Sequence, residues 1–240
     1  MARSGRQSSR RLFAVLALFG GLVASAYYGE QWFRENPQHN PWAPLDLREP
    51  PGLATGMKLG RLQGDADLCR SVLDRSEIAF SVLDPIGEGE CFRSDRLRLD
   101  ERPFAPRFPE MTCSVAASFE FWMLHHVQPA ADRALGTRVS RVEQLGTYNC
   151  RRIGGGSTGR FSEHATGNAI DISAFQFDDG RRISLLEDWG EETDEGRFLQ
   201  TVRDGACDAF GTVLSPEYDA AHADHFHLDQ ARSPGMGLCR

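Results

Sequence analysis

The chain opens on a basic cluster followed by an uncharged apolar run, and that pairing constrains everything downstream. Arg3, Arg6, Arg10 and Arg11 precede Leu12–Val23 (LFAVLALFGGLV), and Tyr27, Tyr28 and Trp32 follow. Basic residues before an apolar run, with none directly after it, hold the N-terminus in the cytoplasm and send the rest of the chain across the membrane. The run has two readings. As a signal peptide, its twelve residues suit an h-region, and Ala24-Ser25-Ala26 is an A-x-A cleavage pattern. As an anchor, Leu12 to Tyr28 spans seventeen residues, at the lower limit for a membrane helix, with the aromatic residues at the interface. Either way the remainder is exported. The sequence contains one run of this length, which excludes a polytopic membrane protein.

Export gives the six cysteines a meaning. In an oxidising compartment an even number is normally paired. Cys69, Cys91, Cys113, Cys150, Cys207 and Cys239 allow fifteen connectivities. Sequential pairing, 69–91, 113–150 and 207–239, is the expectation. No C-x2-C pair occurs, so a thiolate zinc site is disfavoured. Charge divides at the same boundary. The whole chain carries a formal −7, and its first 28 residues hold four arginines and no acid, which leaves −11 on the remainder. An acidic domain with a single lysine, Lys58, is unsuited to sequence-independent nucleic-acid binding, which relies on neutralising phosphates.

The chain divides into a cytoplasmic basic segment (1–11), a transmembrane signal-anchor or signal peptide (12–30), a Pro-rich linker (31–57) and a domain (58–240). Five prolines (37, 41, 44, 50 and 51) fall in the linker, so it reads as an extended, semi-rigid spacer. About 180 residues remain, which suits one domain with a full core. Its pattern predicts a short helix or turn over 67–74, around Cys69, and helices over 112–127 and 195–210, with Pro129 closing the 112–127 helix. It predicts strands over 77–83, 138–145, 169–175 and 225–229. Without a regular βαβ rhythm the expected class is α+β: a small antiparallel sheet carrying a zinc site, flanked by helices and stabilised by disulfides.

The candidate chemistry lies in two short segments, Ser162–Asp171 (SEHATGNAID) and His222–Asp229 (HADHFHLD). Zinc takes three or four ligands from imidazole, carboxylate and thiolate, with one position left for water in a catalytic site. His164 and Asp171 are seven residues apart with Gly167 between them to turn the chain, and Asp171 sits between Ile170 and Ile172 on a strand. In a strand, His225, His227 and Asp229 share a face, opposite Phe226 and Leu228. That favours His225 over Asp224 as the acid–base group. If His225 only begins the strand, Asp224 returns as general base. Elsewhere, Gly154–Gly159 (GGGSTG) lacks the lysine of a phosphate loop and reads as a flexible loop. His125 and His126 occupy diverging helix positions and read as core or surface residues. Asp188-Trp189 reads as a packing anchor.

The pattern S-x-H-x-x-G-x-A-x-D followed by a late H-x-H resembles the zinc metallopeptidase superfamily that includes lysostaphin and the D-Ala-D-Ala carboxypeptidases. More narrowly, GRFSEHATGNAIDIS, DGACDAFGTVL and AHADHFHLD resemble the bacterial extensin-like C-terminal domain family, from about Cys69 to Cys239. The resemblance implies a Zn2+ cofactor held by His164, Asp171 and His227, with His225 catalytic. The carboxypeptidase branch has a Glu three residues before its last ligand, where this chain has the shorter Asp224. The implied activity is hydrolysis of peptidoglycan peptide bonds, by a domain in the periplasm that is either anchored in the inner membrane or released after cleavage. Zinc would polarise the scissile carbonyl and acidify a water, and His225 or Asp224 would move the proton. Arg160 would bind a substrate carboxylate or the oxyanion, and Ser162 would hydrogen-bond near the site. Alternatives are a non-catalytic wall-binding or scaffold module that keeps the metal site, and a metal-dependent amidase acting on another envelope substrate.

Overall fold

A computed structural model describes residues 3–240, with side chains from Leu12 onward. The side chains of the basic segment lie outside the described residues. Helix α1, Arg3–Glu35, contains the apolar run and is exposed along its described length. Its Leu12–Glu35 portion is long and apolar enough to cross a membrane, as a signal sequence also is.

The domain is α+β. Its helices are α2 (Thr55–Gly60), α3 (Ala66–Arg75), α4 (Cys113–Trp122), α5 (Gln128–Leu135), α6 (Leu185–Asp188) and α7 (Asp194–Ala209). A two-stranded ribbon pairs β1 (Phe80–Val82) with β2 (Leu97–Leu99). The main sheet holds β3 (Phe104–Ala105), β4 (Val139–Gly146), β5 (Ala169–Phe177), β6 (Arg182–Ser184), β7 (Thr212–Leu214), β8 (Phe226–Asp229) and β9 (Leu238–Cys239). Its order is β3-β4-β5-β8-β7-β9, with β6 on β5. The expected small antiparallel sheet is therefore a seven-stranded mixed one, because β3 joins β4 and β9 joins β7 in parallel. The added strands have two or three residues, too few to display a period of two.

Caps set the helix starts. Asp65, Thr112 and Thr193 accept hydrogen bonds from the backbone N–H three residues on, at the heads of α3, α4 and α7. Pro129 does not end the 112–127 helix. A π-helical turn, Met123–Val127, lies between α4 and α5, and the chain stays helical through the proline to Gly136, where φ is +64°. The wider turn accommodates a residue that has no N–H to give. α4 is buried throughout and packs with α3 and α7, and Trp122 Nε1 donates to the Val202 carbonyl at 2.8 Å. Phe119, Trp122, Phe175, Phe198 and Phe210 build the core between these helices and the inner face of the sheet.

All six cysteines are paired, as Cys69–Cys113, Cys91–Cys150 and Cys207–Cys239. The last was expected and the first two were not. α3 lies against α4 and brings Cys69 to the start of α4. The Gly89–Cys91 turn meets the turn that carries His164, which puts Cys91 beside Cys150. Tertiary packing, rather than sequence proximity, chooses the partners of Cys69 and Cys91.

Residues 36–57 also differ from expectation. Instead of standing off as a spacer they lie on the domain. Leu45 and Leu47 are buried, the Leu47 N–H donates to Ser76 Oγ at 2.8 Å, and His125 Nε2 meets the Leu47 carbonyl at 2.7 Å. Lys58 Nζ, itself buried, donates to the Pro37 carbonyl at 2.7 Å. Two leucines at i and i+2 anchor a proline-rich strap that is also tied to itself, as where the Ala54 N–H donates to the Gln38 carbonyl at 3.2 Å.

Candidate metal centre

His164 sits in a 3-10 turn, Glu163–Thr166, whose first residues are set by Ser162: its Oγ accepts from the His164 N–H at 3.3 Å. Gly167 ends the turn at φ +75°, a left-handed conformation in which a side chain would be strained. Asn168 then ties the turn down, donating through Nδ2 to Glu163 Oε2 at 2.7 Å and accepting from Thr112 Oγ1 at 3.0 Å. β5 begins immediately afterwards. Ile170 and Ile172 enter the core, so Asp171 faces the opposite way. In the antiparallel pairing of β5 with β8, Asp171 lies directly across from His227, which places the two side chains on one face.

The three side chains converge. His164 Nε2 is 3.1 Å from Asp171 Oδ1 and 3.1 Å from His227 Nδ1, and His227 Nδ1 is 3.1 Å from Asp171 Oδ1. Four-coordinate zinc with bonds of about 2.0–2.1 Å separates its ligands by roughly 3.3–3.4 Å, so this triangle fits the face of such a site. The bracing fits too. His227 Nε2 is 2.9 Å from Asp229 Oδ2, and Asp229 is buried. A carboxylate there holds the proton on Nε2 and turns the Nδ1 lone pair toward the triangle. That lone pair then abuts an oxygen of Asp171, a contact that a cation or a proton must relieve. Without the cation the proton takes the place. Burial works against a charged His227, but Asp171 and Asp229 outweigh it and raise its pKa to about 9. Burial likewise opposes ionisation of Asp171, but hydrogen bonds from His164 and His227 hold it well below the usual carboxylate range.

Two more imidazoles border the triad. β8 begins at Phe226, so His225 precedes the strand and the expected reason for its orientation does not apply. Its Nε2 nevertheless lies 3.7 Å from Asp171 Oδ1, because Asp224 Oδ1 holds Nδ1 at 2.7 Å. Asp224 and His225 thus act as one unit, the half-exposed acid behind the inward imidazole. His222 repeats the arrangement: Asp219 Oδ1 holds its Nδ1 at 2.7 Å, and its ring lies 5.3 Å from that of His225 and 6.0 Å from that of His227. Sequence reasoning gave no role to His222, Asp219 or Asp229. Their signals were D-x-x-H and H-x-H-x-D.

Arg160 is exposed on the 151–161 loop, which closes through an Arg152–Phe161 bridge and leads into Ser162. His125 is occupied by the Leu47 carbonyl, and His126 packs against Gly205. Trp189 stands edge-on to Phe226 at 5.6 Å, which is a packing role.

The chain matches no curated protein and no solved structure. A family model does match, described as extensin-like protein C-terminus, and it covers residues 67–240. That stretch contains every residue of the triad, its braces and its flanking imidazoles, and the chain belongs to the extensin-like C-terminal family.

Proposed function

We propose that this chain is an exported, zinc-dependent, peptidase-like hydrolase that cleaves peptide bonds of peptidoglycan in the bacterial cell envelope, held in the inner membrane by α1. The observation that carries the reading is the equilateral triangle of His164 Nε2, Asp171 Oδ1 and His227 Nδ1, with the lone pair of His227 set by Asp229. Likeness of the S-x-H-x-x-G-x-A-x-D and H-x-H patterns to the lysostaphin and D-Ala-D-Ala carboxypeptidase superfamily supports the choice of substrate.

His164, Asp171 and His227 would hold the ion, which when bound supplies Lewis acidity toward an amide carbonyl and a water acidified toward neutral pH. The protein's own groups handle the protons. Asp224 keeps the proton of His225 on Nδ1, so Nε2 presents a lone pair beside Asp171 and can accept a proton from water. The resulting imidazolium is stabilised by Asp224. His225 then gives that proton to the leaving amine, with the His222 ring, held by Asp219, 5.3 Å away beside it. Arg160, on the loop that leads into Ser162, offers a guanidinium to a substrate carboxylate. Ser162 organises the His164 turn.

The test combines metal content with release of amino acid or peptide from peptidoglycan. The purified chain is expected to carry one equivalent of zinc and to release product. His227→Ala should lose both, and His225→Ala should lose release alone. A zinc-free wild type sinks the metal reading. A zinc-bound wild type that binds wall as well as His225→Ala does, with neither cleaving it, is a binding module.

A further inference from the structure

The junction between α1 and the domain is built rather than flexible. Trp32, in the last turns of α1, stacks on His39 with ring centres 5.2 Å apart. His39 Nδ1 accepts from the Leu53 N–H at 3.0 Å, and Gly52 lies so close to Gln38 that a Cβ there would sit 2.4 Å from its carbonyl oxygen. Arg61 reaches both the Pro41 carbonyl, at 2.6 Å, and Met57 Sδ, at 3.7 Å. Gly56 lies against Pro234. These contacts gather the segments around 36–42, 52–57 and 234–236 at the point where the helix enters the domain. They also line a cavity of about 370 Å³ between His39, Leu53, Phe121 and Pro234.

The side chains that this junction turns outward are large and apolar. Trp42 is 81% exposed, Leu53 87% and Met236 83%, with Met57 half-exposed beside them. Four such residues on segments that meet at one helix exit are not the scattered single exposures normal for a soluble surface. The helix length says what covers them. If Tyr27 and Tyr28 mark the interface, the seven residues from Gly29 to Glu35 add about 10 Å of helix, and a headgroup layer is roughly 5–8 Å deep. The domain therefore starts at the outer edge of that layer, and an ordinary helix tilt of about 20° brings one side of the junction into it. Tryptophan, with an apolar ring and a polar N–H, suits that depth.

We infer that Trp42, Leu53, Met57 and Met236 form a membrane-docking face that sits in the headgroup region of the bilayer crossed by α1, so that the domain is held on the membrane surface in one orientation instead of swinging on a tether. This rests on α1 being retained as an anchor. The occupant is the bilayer, because the face is continuous with the exit of the apolar helix.

The test uses the full chain reconstituted in phosphatidylcholine vesicles, with or without lipid spin-labelled at the headgroup, and its Trp42→Phe variant. Trp42 emission is taken as the difference between the two. Spin-labelled lipid is expected to reduce that component about twofold or more, while aqueous acrylamide barely reaches it. A tryptophan at Leu53→Trp in the Trp42→Phe background should behave in the same way. Trp42 emission that acrylamide quenches freely and lipid does not, in protein retained through an alkaline wash, overturns the docking face alone. Emission protected from both quenchers means that a second copy covers the face, and also overturns it. An intact mass showing cleavage after Ala26 in cell-derived protein overturns the anchor and the docking face together.

Discussion

Asp229→Asn isolates the brace behind the proposed metal centre. The carboxylate accepts from His227 Nε2 at 2.9 Å and is buried, so its replacement has a local effect. An amide can present its NH2 to Nε2, which moves the imidazole proton to Nδ1 and removes the lone pair aimed at His164 and Asp171. Loss of such a brace typically costs 10–100-fold in metal affinity, or about 1.4–2.7 kcal/mol. The cost depends on pH, because Asp229 has a second effect. With Asp171 it raises metal-free His227 to about 9, so at pH 7 a proton occupies Nδ1 in all but about 1% of molecules. Apparent zinc affinity of the wild type should therefore rise about tenfold per pH unit up to pH 9 from this group. In the variant His227 is less basic and the proton competes less, which partly offsets the lost brace at low pH. The affinity deficit of Asp229→Asn is thus expected to be small near pH 6 and to widen toward pH 9. Competition against a chromophoric chelator at several pH values measures it. A deficit that stays constant across this range, or no deficit at pH 9, refutes the account of His227.

In the zinc-free protein, the raised pKa of His227 contributes stability that is complete below pH 6.5 and is lost as pH rises through about 9. Thermal melts with and without zinc should diverge over that window, the metal removing the alkaline fall. Asp224→Asn should lower the rate of peptidoglycan hydrolysis 10–100-fold at unchanged zinc content, since Nδ1 of His225 loses its carboxylate; equal rates would leave Asp224 without a role. Cys69→Ser with Cys113→Ser opens a loop of 44 residues and should cost about 4 kcal/mol by the chain-entropy relation, read by denaturant titration. Peptide mapping without reduction should recover 69–113 and 91–150 as linked pairs.

The triad was legible because its residues are local to two segments and their types are unusual for where they stand. An aspartate between two isoleucines on a strand has no structural purpose of its own, and alternating histidines near Phe226 and Leu228 mark one face. The long helices were legible through their apolar stripes, as at Phe198, Val202 and Ala206. Pro129 misled because a π-turn can carry a helix past a proline. Leu45 and Leu47 were hidden among prolines, so a strap fastened to the domain resembled a free spacer.

The sequence by itself determined an N-terminal apolar helix of signal-peptide or single-span length, the pairing of an even set of cysteines, the α+β class and which residue types were available to hold a metal. These depend on composition and on contacts within a few residues. Tertiary structure alone decided that Cys69 joins Cys113, that Asp171 lies opposite His227, and that His222 reaches the site beside His225. Those pairings depend on how α3 lies on α4 and on the register of β5 with β8. The register is set by burying Ile170, Ile172, Phe226 and Leu228 together, a free-energy gain that belongs to the assembled core and to no single segment.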